Sequence, residues 1–163
     1  MSMPLLPVPH RTEDFPGACL PACCQMALAF WGIIESQTRI AARIGHIDGA
    51  GTPARNVTRL SIFGLEVRWH EHGTIDDLRQ ATAAGQVPIV FLHTGELPYW
   101  DQDTPHATVV TGVEAGTVYV NDPAFESAPI PVPVGDFQLA WDEFGCQWAA
   151  VHRLPNVSAM GQA

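Results

Sequence analysis

Cys19-Leu20-Pro21-Ala22-Cys23-Cys24-Gln25-Met26-Ala27-Leu28-Ala29-Phe30-Trp31-Gly32 is the stretch on which the reading of the chain turns. Its apolar residues recur at helical spacing. Proline is tolerated in a helix's first turn, and glycine suits the position just past a helix end. The spacing therefore predicts a helix from about Pro21 to Trp31, stopped by Gly32. Cys19 falls at the start of that helix. Free backbone N–H groups and the helix dipole at such an end favour the ionised form of a thiol, and a thiolate is a nucleophile. Cys23 and Cys24 lie deeper in the same helix and read as core.

Upstream, residues 1–18 read as extended chain broken by Pro4, Pro7, Pro9 and Pro16. Downstream, Ser36 caps a second helix through Ile44, ended by Gly45, and Asp48-Gly49-Ala50-Gly51 is a loop. Thr52-Pro53 reads as a cap and first position of a third helix running to Phe63. The period then changes. Leu65 to Trp69 alternates like a half-buried strand, Thr74 caps a helix to Ala84, and Gln86 to Leu92 is an apolar run typical of a buried strand. Residues 94–105 are loop-like. Ala107–Val113 and Thr117–Asn121 are strands joined by the hairpin signal Glu114-Ala115-Gly116. Residues 123–135 are proline-rich, Asp136 to Trp141 is a short helix and Cys146 to His152 a last strand. Helices first and an antiparallel sheet second give an α+β class. No internal repeat or domain boundary is visible. A single domain over 1–163 is expected, with its core at about 8–153 and a frayed tail over 155–163.

Of the 163 residues, 47% are hydrophobic and 15% charged, which suits a packed globular chain. The net charge is −9 and all eight basic residues are Arg. That balance argues against nucleic acid or an anionic membrane as partner. No apolar run reaches the length of a membrane span, and the proline-rich start without a basic region makes a poor signal peptide. Adjacent Cys23 and Cys24 argue for free thiols and a cytoplasmic location. His70 and His72 share a strand face, but with His93 or a cysteine they make only a weak ligand grouping, so neither metal nor other cofactor is expected. The sequence sets no oligomeric state.

Thiol catalysis needs an ionisable thiol, a base, and a third group to orient the base. Cys19 supplies the first. His106 opens a strand beside a loop, and Asp122 ends the next strand of the same hairpin, roughly opposite it, so a carboxylate–imidazole contact is expected. The pattern resembles the bacteriocin-leader-processing (double-glycine) type of papain-like cysteine peptidase, the thirty-ninth cysteine peptidase family, including its free-standing relatives. Val8-Pro9, Cys19, Pro21, Met26 and Gly32 match that family's first block. His106-Ala107-Thr108-Val109-Val110-Thr111-Gly112 and Asn121-Asp122-Pro123 match its later blocks. Gly51-Thr52, the Pro88 strand, Leu97-Pro98-Tyr99-Trp100, Asp136-Phe137 and Trp141 extend the likeness over roughly 8–152.

The resemblance implies a papain-like fold, with a helical half that carries the nucleophile packed on an antiparallel sheet. It also implies a Cys19–His106–Asp122 triad acting on a peptide or small amide substrate through an acyl-enzyme. The family's oxyanion-donating Gln corresponds here to Glu13, and the Gly after its nucleophile to Leu20. The resemblance thus makes Glu13 the candidate oxyanion-hole residue, beside the Cys19 backbone N–H, while Leu20 and the loop residue Trp100 are the candidates to line the substrate cleft. An ionised Glu13 would repel developing negative charge, whereas a protonated one could still donate. Two other functions fit the same residues: an acyltransferase or peptide-ligating enzyme that passes the acyl group to an amine, and a non-catalytic peptide-binding module.

Overall fold

The computed structural model describes residues 4–153, so the expected frayed tail lies outside the described residues. A six-stranded antiparallel sheet runs through the middle, in the order β1-β6-β2-β3-β4-β5. Its strands are β1 (Leu65–His70), β2 (Val87–His93), β3 (Pro105–Glu114), β4 (Thr117–Asn121), β5 (Ile130–Pro133) and β6 (Trp148–Arg153). Four helices accompany it: α1 (Cys19–Phe30), α2 (Gln37–Ile44), α3 (Ile75–Ala83) and α4 (Val134–Asp142).

The expected α+β, papain-like architecture is present, with one addition: both faces of the sheet are covered. On one face α1 and α2 bury Cys23, Met26, Leu28, Ile40 and Ile44 against Ile89, Phe91, Val109 and Val151. On the other, α3 and α4 bury Leu78, Phe137 and Trp141 against Val90, Leu92, Val110 and Val120. Strand residues alternate between faces, so a strand covered on both sides must be apolar throughout. This explains why Val87 to Leu92 reads as one continuous apolar run, with every residue buried.

The first helix begins two residues earlier than its sequence spacing predicts, at Cys19 itself, and Pro21 sits inside its first turn. It ends where expected. Gly32 takes φ 79°, and the N–H groups of Gly32 and Ile33 return to the carbonyls of Ala29 and Leu28. This paired closure needs a left-handed residue, which glycine adopts without steric cost.

One expectation fails locally, and one strand goes unread in the sequence. The segment expected as a third helix winds as 3₁₀ turns over Ala54–Phe63. The Thr52 hydroxyl that should cap it is held instead by His46 Nδ1 at 2.9 Å, and Pro53 stays extended at φ −55°, ψ 133°. The proline-rich stretch contains β5, a strand with two prolines. It lies at the sheet edge, the place where a missing N–H costs least. Among the described residues, no helix is long and apolar enough to cross a membrane.

Candidate active site

The site forms where the start of α1 meets the β3–β4 hairpin. No side chain caps α1, its first turn carries no acid, and Pro21 has no N–H, so the Cys19 and Leu20 amides stand at the helix mouth without a side-chain partner. Cys19 is half-buried at that mouth, whereas Cys23, Cys24 and Cys146 are buried; all four thiols are free. Burial pushes the Cys23 and Cys24 thiols well above their ordinary value, with the neighbouring Cys19 adding to the effect, so both stay neutral.

On the hairpin, Ala115 and Gly116 both take positive φ and close a two-residue turn. The pairing runs Glu114↔Thr117 to Val109↔Asn121, with a bulge between Val110 and Gly112. Continued by one residue, it sets Asp122 opposite Thr108, diagonal to His106 rather than facing it. The diagonal is still within reach: His106 Nε2–H donates to Asp122 Oδ1 at 2.7 Å.

Asp122 is fully buried and accepts three further hydrogen bonds. The Ala124 N–H donates to Oδ1 at 2.9 Å, while the Tyr99 hydroxyl and Trp100 Nε1–H donate to Oδ2 at 2.8 and 2.9 Å. Burial alone would raise its pKa. The hydrogen bond and charge of His106, with the Ala124 and Trp100 donors, outweigh burial and hold the carboxyl below its ordinary value. For His106 the same balance is reversed. Burial disfavours the charged ring, but the bonds to Asp122 and Cys19 prevail and its pKa is raised. Tyr99 is pushed up by burial and by the Asp122 charge, so its hydroxyl remains a donor.

Glu13 reaches the site from the N-terminal segment. Leu6 N–H donates to the Thr111 carbonyl left free at the bulge, Asn121 Nδ2 donates to the Val8 carbonyl, and Glu13 N–H donates to Pro123 O at 2.9 Å. Buried Gln37 on α2 holds the segment from its other side. Its Nε2 donates to Thr12 O, and its Oε1 accepts from Asp14 N–H. The outcome is a cluster in which a Glu13 carboxylate oxygen, Cys19 Sγ and a His106 ring nitrogen all lie within 4.8 Å of one another. Nε2 is committed to Asp122, so Nδ1 is the nitrogen left for the other two. Desolvation raises the Glu13 pKa against the opposing pull of the His106 charge.

A cleft of about 400 Å³ opens in front of Cys19 and His106. Leu20 is among the residues lining it, along with Gly49, Gly51, Phe91 and Phe144. The Asp48–Gly51 loop becomes one wall because Ile47 and Gly51 exchange backbone hydrogen bonds across it. Trp100 departs from the expectation, since it is not among the residues that line the cleft. It packs behind the imidazole, edge-on to His106 at 4.9 Å and to Phe125 at 5.3 Å. Among the described residues the three-donor group is Glu13, Cys19 and His106. Sequence reasoning missed Tyr99 and Gln37 as supports. Tyr99 lay inside a quoted motif, but nothing in the sequence aims its hydroxyl at a residue 23 positions away.

The family model for peptidase C39-like proteins matches residues 5–149. A search among curated proteins finds no match. Solved structures that share the fold include these three. A protein from Bacillus anthracis described as a C39-like peptidase is 18% identical, with TM-score 0.76 over 96% of this chain and 100% of that one. A double glycine motif protease from an AMS/PCAT transporter, in complex with the leader peptide, is 18% identical, with TM-score 0.71 over 94% and 99%. The peptidase domain of Streptococcus ComA, a bi-functional ABC transporter involved in a quorum-sensing pathway, is 16% identical, with TM-score 0.72 over 89% and 98%.

Proposed function

The chain belongs to the peptidase C39-like family, and on that premise we propose that it is a thiol hydrolase cleaving a peptide bond through Cys19, His106 and Asp122. The observation that carries the proposal is the 2.7 Å bond from His106 Nε2 to a buried, fourfold-bonded Asp122. It fixes the ring and leaves Nδ1 to exchange a proton with Cys19. In the reaction, Cys19 Sγ bonds to the substrate carbonyl carbon while its proton resides on Nδ1. Nδ1 then protonates the leaving amine as the C–N bond breaks. Water, giving a proton to the same nitrogen, releases the acid and restores the thiol. The Cys19 backbone N–H and a protonated Glu13 carboxyl donate to the oxyanion, a role supported by the desolvation that raises Glu13.

A peptide substrate is supported by the neighbour that holds a leader peptide. Four free thiols support a reducing, cytoplasmic location. Incubation with peptide libraries, read by mass spectrometry, tests the proposal. Wild type is expected to give paired fragments whose masses sum to the substrate plus one water, and Cys19→Ala none. Equal product from the two proteins would overturn it, and products joined to an added amine would replace hydrolysis with acyl transfer.

A further inference from the structure

Glu13 changes what the cleft can hold. Glu13, Cys19 and His106 present a carboxylate oxygen, a thiolate sulfur and an imidazole nitrogen, all within 4.8 Å of one another. We propose that these three side chains bind a zinc-type divalent cation, which caps the nucleophile in a reversible resting state. The inference rests on the same site as the peptidase reading but has its own readout.

Three observations point to it. The donor set is chemically matched, because Zn²⁺ takes sulfur, imidazole nitrogen and carboxylate oxygen together at about 2.0–2.3 Å, with tetrahedral ligand separations of about 3.3–3.8 Å. The observed spacing needs only a small contraction around an ion. The histidine is also prepared as a ligand. Its Nε2–H is spent on Asp122 at 2.7 Å, so Nδ1 presents a lone pair, and a carboxylate behind an imidazole is the usual support of a metal-bound histidine. Finally, two of the three donor residues, Cys19 and His106, line the cleft of about 400 Å³, which leaves room for water as a further ligand. An amide at position 13 would supply only a weak, uncharged oxygen, so this site is a consequence of the glutamate.

On binding, the cation displaces the proton shared by Cys19 and His106 together with any proton held on the Glu13 carboxyl, and these leave to solvent; no oxidation state changes. With the sulfur and Nδ1 both coordinated, neither is available to a substrate. Thiol chemistry would proceed only after the ion departs.

The test uses chelator-treated full-length protein titrated with Co²⁺ as the probe. Wild type is expected to develop a thiolate-to-cobalt charge-transfer absorption that Zn²⁺ abolishes. Glu13→Gln is expected to weaken Co²⁺ binding at least about tenfold, and Cys19→Ser to lose the charge-transfer absorption. A measurement on wild type alone guards against a misfolded variant: Zn²⁺ should slow iodoacetamide modification of Cys19 at least about tenfold. Absence of the charge-transfer absorption, no protection by Zn²⁺, or a Glu13→Gln affinity equal to wild type would each overturn the inference. A protein that binds the ion but cleaves no peptide loses the peptidase reading and keeps this one. A peptidase indifferent to Zn²⁺ loses this one and keeps the other.

Discussion

The proposed chemistry turns most on Glu13. A carboxylate is the wrong partner for an oxyanion, yet a carboxylic acid is a serviceable donor, and the protein moves Glu13 toward the acid form by half-burying it. The sign of the pH dependence follows. Below its raised pKa Glu13 is protonated and donates; as pH rises through that pKa the donor is lost and a negative charge replaces it. In chelator-containing buffer, Glu13→Gln is expected to remove that decline with rising pH. It should also raise kcat/KM at neutral pH by up to about 10²-fold, the scale of one oxyanion donor. Parallel pH–rate profiles for the two proteins would show that Glu13 does not face the reacting carbonyl. Both the departure at position 13 and the choice of Cys19 over Cys23 or Cys24 were legible in the sequence, because residue spacing fixes a register. The desolvation that makes Glu13 usable was not, since it comes from how the fold encloses the segment carrying it.

Among the elements, the hairpin shows how a correct contact can be reached by a different path. The turn at Ala115-Gly116 places Asp122 near His106, and that much was readable. The bulge at Thr111 was not, because backbone irregularity has no side-chain signature there. It shifts Asp122 to a diagonal position and frees a carbonyl for Leu6, which seats the N-terminal segment. The 3₁₀ segment was misread as a helix, and β5 was not seen, because propensity is local. One cap was diverted by His46, and two prolines were tolerated at an edge.

Gln37 ties α2 to the segment carrying Glu13, and it is 1% exposed. Gln37→Leu would leave the Thr12 carbonyl and the Asp14 amide without their partner, at a cost of about 1–3 kcal/mol. We expect urea denaturation to register that loss. Peptide cleavage should lose kcat more than it gains KM, because Glu13 would be less well held. Unchanged kcat with lowered stability would confine Gln37 to a structural role.

For the whole molecule, the sheet covered on both faces was only half visible in the sequence. The apolar β2 run indicated burial but not which helices provide it. The His106–Asp122 pair also sits in that interior, and it couples folding to pH. Asp122, with its pKa lowered, contributes stability that is fully present above its ordinary 3.8 and lost as pH falls through the lowered value. His106, with its pKa raised, contributes stability that is fully present below its ordinary 6.5 and lost as pH climbs through the raised value. Both contributions operate between those two values. Asp122→Ala, assayed with chelator, is expected to cost about 3–5 kcal/mol in that window, since a buried charge loses its partner. The penalty should shrink in stronger acid, and a penalty independent of pH would refute this coupling.

The central claim is that the fold makes Cys19, alone of four cysteines, a reactive nucleophile served by His106. The most direct measurement is the rate of iodoacetamide modification at each cysteine near neutral pH, in chelated wild type and in His106→Ala, resolved by peptide mass. Cys19 should react faster than a free model thiol, with Cys23 and Cys24 protected, and should slow in His106→Ala. A Cys19 rate no faster than the model thiol, or one indifferent to His106, would contradict the claim.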